Sequence, residues 1–269
     1  MPPSSSSGTP WVVGAVGAQF RRLRRQSIAV PIILVALWCT SASAQTAAPK
    51  PPSLGAVFSE VPGDLWHFIS WDTALVLGIG GGAAAVGHIW DDDLAQEIET
   101  NPALNDAMAP GNTYGAFSTQ VILGVGMYAG GWFAKQDRLA RAGADIMRAQ
   151  LLSQIYVQAI KYSAQRERPD KSDSLSFPSG HSASAFATAG VLQRHYGWKV
   201  GIPALAVAGY VATARVHDNR HYLSDVIFGG AMGIASERTV SLHSGRYGIQ
   251  IAPTGGSGSV GVVVGVQPR

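Results

Sequence analysis

Cysteine is almost missing from this chain of 269 residues: Cys39 is the single example. No intramolecular disulfide can form, and beyond residue 39 there is no thiol to act as a nucleophile or metal ligand. Charge is also scarce, at 14% Asp, Glu, Lys and Arg against 46% hydrophobic residues. That balance excludes a disordered chain and suits a packed or membrane-associated helical domain with one core. Four of the 20 basic residues (Arg21, Arg22, Arg24 and Arg25) lie in an N-terminal stretch without an acidic residue or a lysine. The remaining 16 face 17 acidic residues, so the formal charge of +3 belongs to the leader and gives no support to nucleic-acid binding. Internal repeats are absent.

What is present begins with that leader. The arginine cluster is followed by an apolar run from Ile28 to Trp38 and the small residues Ala42-Ser43-Ala44. These are the three parts of a secretory signal over residues 1–44, with cleavage expected after Ala44. Residues 45–53, rich in Ala, Pro and Thr, read as a linker to a helical domain over 54–240 and a tail over 241–269. Six helices are expected, so the fold class is all-α. Asp72 to Trp90 and Thr113 to Ala134 are apolar and Gly/Ala-rich, and the first is long enough for a buried helix or a marginal span. Asp91 to Asn112 reads as a loop, with Asp91, Asp92 and Asp93 as a solvated helix end. Ala142 to Gln165 carries Asp145, Arg148, Gln150, Gln154, Gln158 and Lys161 and reads as amphipathic, unsuited to lipid. Ser182 to His195, Val200 to Arg215 and Leu223 to Glu237 complete the set. Tyr247 to Gln267 alternates β-branched residues with Gly and Ser, the pattern of a short hairpin.

Three short segments between residues 161 and 225 concentrate polar chemistry. In the first, Lys161 and Arg168 are seven residues apart. On a helix they would share one face, with Pro169 helping to end it, and could clamp an anion; the plainer reading is a solvated basic helix end. The second is Ser176-Phe177-Pro178-Ser179-Gly180-His181-Ser182, just before a helix. Backbone N–H groups at the glycine turn, the helix N-terminus and the Ser179 hydroxyl make a phosphate cradle, with His181 at its edge as a general acid. An ordinary capped helix start is the alternative. The third runs from Arg215 to Asp225. His221 and Asp225 stand one helical turn apart, so the carboxylate can orient the imidazole as a nucleophile while Arg215 grips phosphate oxygens.

Taken together, Lys-x6-Arg-Pro, Pro-Ser-Gly-His and Arg-x5-His-x3-Asp resemble the three-part signature of the type 2 phosphatidic acid phosphatase and vanadium haloperoxidase superfamily. The resemblance implies a helical bundle in which Lys161, Arg168, Ser179, Gly180 and Arg215 hold phosphate. It makes His181 the acid, His221 the nucleophile and Asp225 its partner, with no metal and no cofactor. The expected activity is hydrolysis of phosphomonoesters or pyrophosphates, lipid or small organic, through a phosphohistidine. The other readings are a vanadate-dependent haloperoxidase and a non-catalytic anion-binding protein of the envelope. One departure is visible: Ala214 stands where the family usually has Ser before the arginine of the third motif, which removes a supporting hydroxyl. The leader implies export to the cell envelope. The polar third helix favours a periplasmic domain over one embedded in the inner membrane, and membrane association stays open.

Overall fold

The computed structural model describes residues 51–98, 104–241, 248–256 and 259–267. The expected leader and Cys39 lie outside the described residues, as does most of the expected linker. Among those described, ten α-helices precede a two-stranded hairpin. They are α1 (Leu54–Ser59), α2 (Val61–Phe68), α3 (Trp71–Gly87), α4 (Asp91–Ile98), α5 (Asn105–Gly115), α6 (Phe117–Phe133), α7 (Asp137–Ala164), α8 (Gly180–Tyr196), α9 (Trp198–His217) and α10 (Leu223–Ser241). A single 3-10 turn, His88–Trp90, joins α3 to α4. Strands β1 (Gly248–Gly256) and β2 (Ser259–Gln267) pair antiparallel, Gly248 opposite Gln267 and Gly256 opposite Ser259, as the alternating tail suggests.

The six expected helices all form, within a few residues of their predicted ends. Capping explains several starts. Ser53 and Ser70 accept N–H groups at the heads of α1 and α3, and Ser179 does so at the head of α8. Two expectations change. The segment 91–112 is not a loop, because α4 and most of α5 are built from it. The helix α7 is amphipathic only toward its C-terminus, where Gln158 and Tyr162 are exposed while Val157 and Lys161 are buried. Every residue from Ala140 to Gln150 on it is buried, including Asp145, Arg148 and Gln150. Asp145, Arg148 and Gln150 find partners inside the protein, so over this stretch polarity carried no information about solvent.

The central layer is α7, α8, α9 and α10, with α8 packed against the other three. Ile146, Leu152, Val157, Val191, Met232 and Val240 form the main buried cluster. Burying a side chain of this size contributes roughly 1.5–3 kcal/mol. Small residues allow the close approach: a Cβ on Gly233 of α10 would lie 2.2 Å from the Ala183 carbonyl oxygen of α8. Because these four helices alternate in direction, the C-terminus of α7, the N-terminus of α8, the C-terminus of α9 and the N-terminus of α10 meet at one end. All three polar segments are at that end.

The outer helices have a different surface. Two stretches, Trp71–Glu97 and Trp198–His217, are long and apolar enough to cross a membrane. Trp71, Leu75, Ile79 and Val86 on α3 are exposed, as are Ile122, Val125 and Phe133 on α6 and Val200, Ile202 and Val207 on α9. Exposed apolar side chains on three helices suit contact with a partner or a lipid phase.

Candidate active site

The first segment does not form the expected two-turn helical face. The helix α7 stops at Ala164 because Gln165 adopts the left-handed conformation, φ 45°. Lys161 therefore sits in the last turn and Arg168 in the loop beyond. Lys161 is buried and its Nζ donates to the Leu175 and Ser176 carbonyls. The Arg168 Nε donates to Asp173 Oδ1 at 2.6 Å, and its Nη1 donates to the Arg220 carbonyl at 3.0 Å. The loop thus folds back on the third segment. Its register is held by the Asp170 N–H on the Asn219 carbonyl at 3.1 Å and by Arg220 on Asp170 at 2.8 Å.

The second segment caps α8. Ser179 is fully buried, and its hydroxyl accepts the Ser182 N–H. Gly180 opens the helix with His181 next, so their N–H groups belong to the first turn, where no carbonyl of the helix itself can reach them. The cradle is pinned from below by the Ser179 N–H on the Asp225 carbonyl at 3.0 Å. Gly229 of α10 lies directly beneath: a Cβ there would be 2.4 Å from the Ser179 carbonyl oxygen.

In the third segment, His221 precedes α10 instead of lying on it, since the helix begins at Leu223. His221 and Asp225 nonetheless face each other, Nδ1 to Oδ2, at 3.7 Å, with both side chains at most 3% exposed. That separation is an ion-pair distance and longer than a hydrogen bond. The same Asp225 oxygen is occupied by the Ser176 hydroxyl and by the Tyr222 N–H at 2.9 Å. Arg215, in the last turn of α9, donates Nη1 to Asn112 Oδ1 of α5, and Asn112 in turn donates to Asp218.

The electrostatics follow from this crowding. Burial pushes the His181 imidazole down to about 3, and Arg215, His221, Lys161 and Arg168 push the same way. Burial likewise lowers His221 to about 4, opposed by the facing Asp225 carboxylate and assisted by Lys161 and Arg215. Lys161 falls to about 8 through burial and the charge of Arg168. Both rings are therefore neutral near pH 7. Lys161, Arg168, Arg215, Ser179, Gly180, His181, His221 and Asp225, the full set predicted from sequence, converge on one end of the bundle. Among the described residues no group of three or more His, Cys, Asp or Glu is arranged to hold a metal ion.

Sequence reasoning missed Arg166, Asn112 and Asp91. The Arg166 Nη1 donates to Asp225 Oδ1 and to Ser224 Oγ, both at 2.7 Å, and its Nη2 to Asp91 Oδ2 at 2.8 Å. Asp91 is not a solvated helix end: it is 2% exposed and accepts the Ser224 N–H and hydroxyl at 2.9 and 2.6 Å. Nothing local in the sequence distinguishes Asp91 from Asp92 and Asp93.

Residues 143–245 match the family model described as the PAP2 superfamily. A lipid A 1-phosphatase of Porphyromonas gingivalis is 42% identical over 81 residues, 29% of this chain and 18% of that protein. A lipid A 4'-phosphatase of Helicobacter pylori is 36% identical over 63 residues, 23% of this chain and 32% of that one. The chain therefore aligns with less than a third of the length of these curated relatives. Among solved structures, a transmembrane PAP2-type phosphatidylglycerolphosphate phosphatase from Bacillus subtilis superposes with a TM-score of 0.53 at 25% identity. That match covers 68% of this chain and 94% of the other.

Proposed function

Because this chain belongs to the PAP2 superfamily through residues 143–245, we propose that it is a lipid-phosphate phosphatase that works through a phosphohistidine on His221. The observation that carries the reading is the burial of Lys161 and Arg215 beside two neutral histidines, with neither cation in an ion pair among the described residues. Such a site lacks an anion, and a phosphate group supplies the charge. The two relatives named as lipid A phosphatases, the neighbour named as a phosphatidylglycerolphosphate phosphatase and the exposed apolar helices support a lipid phosphate over a small soluble ester. They also support insertion in the membrane. The polar α7 gives no argument for a soluble domain, since Arg141, Asp145, Arg148 and Lys161 are buried and the long apolar stretches are those of α3 and α9. A leader over residues 1–44 would put the site on the periplasmic side.

Two displacements follow. In the first, the neutral Nε2 of His221 attacks phosphorus in line, the bond from phosphorus to the ester oxygen breaks, and His181 gives its proton to that oxygen. His181 acquires that proton with the substrate, because two negative charges placed among its neighbours reverse the shift that keeps it neutral in the free protein. In the second, His181 takes a proton from water, the hydroxide attacks the phosphohistidine, and inorganic phosphate leaves. Lys161, Arg168 and Arg215 stabilise charge on the equatorial oxygens, assisted by the Ser179 and Gly180 turn. The Asp225 contact, long in the free site, shortens as the imidazole gains positive charge on attack. No metal or cofactor takes part in these steps.

Phosphate release from lipid A, phosphatidylglycerolphosphate and soluble phosphomonoesters, with excess chelator, tests the proposal. We expect chelator-resistant turnover of a lipid phosphate and an acid-labile, base-stable phosphoprotein on rapid quenching, both absent from His221→Ala. Equal turnover by His221→Ala would remove the nucleophile, and activity that disappears with chelator and returns with a divalent ion would overturn the metal-free route.

A further inference from the structure

The proposed reaction uses Lys161, Arg168 and Arg215 but leaves out Arg166, which bonds directly to Asp225. Its guanidinium bridges two buried carboxylates from distant parts of the chain. One is Asp225, the partner of His221; the other is Asp91, at the start of α4. Ser224 closes the figure by donating its N–H and hydroxyl to Asp91 while its oxygen accepts from Arg166 Nη1. The plane of Arg166 also lies over the ring of Tyr222, with 4.1 Å between Cζ and the ring centroid. Beyond Asp91, the exposed His88 ring stands 2.7 Å from its Oδ2.

Hydrogen bonding alone would not require this arrangement, since Ser176 and the Tyr222 N–H already satisfy Asp225 Oδ2. Arg166 acts on the other oxygen and supplies the charge that those neutral donors lack. A planar guanidinium with two carboxylates on its edges fixes the rotation of both, which a lysine ammonium does not. We infer that Arg166, held by Asp91, is a positioning residue that fixes the Asp225 carboxylate in the orientation and charge state in which it can receive the His221 ring. The inference rests on the phosphohistidine reading for its catalytic consequence, but the bridge itself acts on His221 whether or not the ring attacks phosphorus. It also ties α4, which follows the apolar α3, to the site, so the outer helix and the reacting end are mechanically joined.

The test compares full-length wild type with Arg166→Lys, Arg166→Gln, Asp91→Asn and the Arg166→Gln/Asp91→Asn double variant in detergent. It reads turnover, its pH profile, affinity for vanadate and the 15N signals of the His221 ring. Turnover in Arg166→Gln should fall on the order of 10- to 100-fold in kcat, the range seen when partners that orient a reacting group are removed, with little change in KM or vanadate affinity. The acidic limb should move to higher pH, because Asp225 without its cation binds a proton more readily. Arg166→Lys should recover part of kcat, Asp91→Asn should lose less than Arg166→Gln, and the double variant should fall short of the product of the two. The His221 ring signals should shift in Arg166→Gln and Asp91→Asn. Unchanged His221 signals and an unmoved acidic limb in both single variants would overturn the bridge. If His221→Ala keeps turnover while the ring signals shift as expected, the catalytic reading fails and the bridge stands.

Discussion

Buried charge at the far end of the bundle lies beside partners of opposite sign, whereas at the reacting end, among the described residues, the buried Lys161 and Arg215 meet no carboxylate. On α7, Asp145 lies sixteen residues before Lys161, about 24 Å along the axis. Around it several charges meet partners of opposite sign. The His195 Nε2 stands 2.7 Å from Asp145, and Arg148 grips both oxygens of Asp64 at 2.8 and 2.7 Å. Arg194 meets Glu237 at 2.8 and 3.3 Å. At the other end Lys161 receives only carbonyl oxygens and Arg215 an amide oxygen. The same helices carry both clusters, so the contrast does not come from packing. A fold that needed buried charges only for stability would pair them at both ends. Two buried cations without carboxylates cost stability, and under the proposed function the phosphate of the substrate would offset that cost.

The contrast can be broken most forcefully by exchanging which end is damaged. The variant His221→Ala should abolish turnover, on the order of 10⁴-fold or more, as loss of a covalent nucleophile does, while leaving the unfolding free energy within about 1 kcal/mol. The variant His195→Ala should do the reverse. It removes the 2.7 Å contact to buried Asp145 and should cost about 1–3 kcal/mol, with kcat of the folded fraction within about twofold of wild type. Thermal unfolding and turnover on the same detergent preparations decide the matter. Stability lost equally in both variants would show that the two ends do not differ in kind.

A finer probe is Lys161→Met, which removes one unneutralised cation and keeps most of the side-chain volume. Turnover should fall about 10²- to 10³-fold, the usual loss when one electrostatic contact to a transition state is deleted. Stability should hold or rise by up to about 1 kcal/mol, since relief from burying a charge offsets the two lost carbonyl contacts. A loss of more than about 2 kcal/mol on unfolding would mean that Lys161 is a structural residue and that the site is not short of an anion.

How much of this was legible in the sequence depends on how local each signal is. The six long helices follow from runs of apolar residues bounded by caps and turns. The eight site residues follow from three motifs that are each contiguous. The failures are non-local. Arg166 sits inside the first motif yet works through Asp91 and Asp225, 75 and 59 residues away. Asn112 reaches Arg215 across 103 residues from a stretch that reads as a loop. The polar residues over 140–150 of α7 suggest a wet face because periodicity counts side chains without knowing their partners; Gln150, for example, is buried and its Nε2 donates to the Ser184 carbonyl and the Thr188 hydroxyl of α8.

The smallest effect is the most specific to the reacting end, and it concerns pH. His181 and His221 have folded-state values of about 3 and about 4, both below the ordinary histidine value of 6.5. Between those values and 6.5 the unfolded chain binds more protons than the folded one, so stability must fall as pH drops through that window. The slope approaches about 1.4 kcal/mol per pH unit for each histidine. Lys161, at about 8 against 10.5, acts in a separate window above pH 8, where stability again falls as pH drops, and it is level below that. Vanadate supplies the missing anion and raises the His181 value, so its binding should take up protons and grow tighter as pH falls toward 6. It should also flatten the acid loss of stability. Calorimetry of vanadate binding in two buffers of different ionisation enthalpy measures the proton uptake directly. Uptake should fall in His181→Asn and survive in His195→Asn, because His195 lies against Asp145 at the far end of the bundle, away from the ligand.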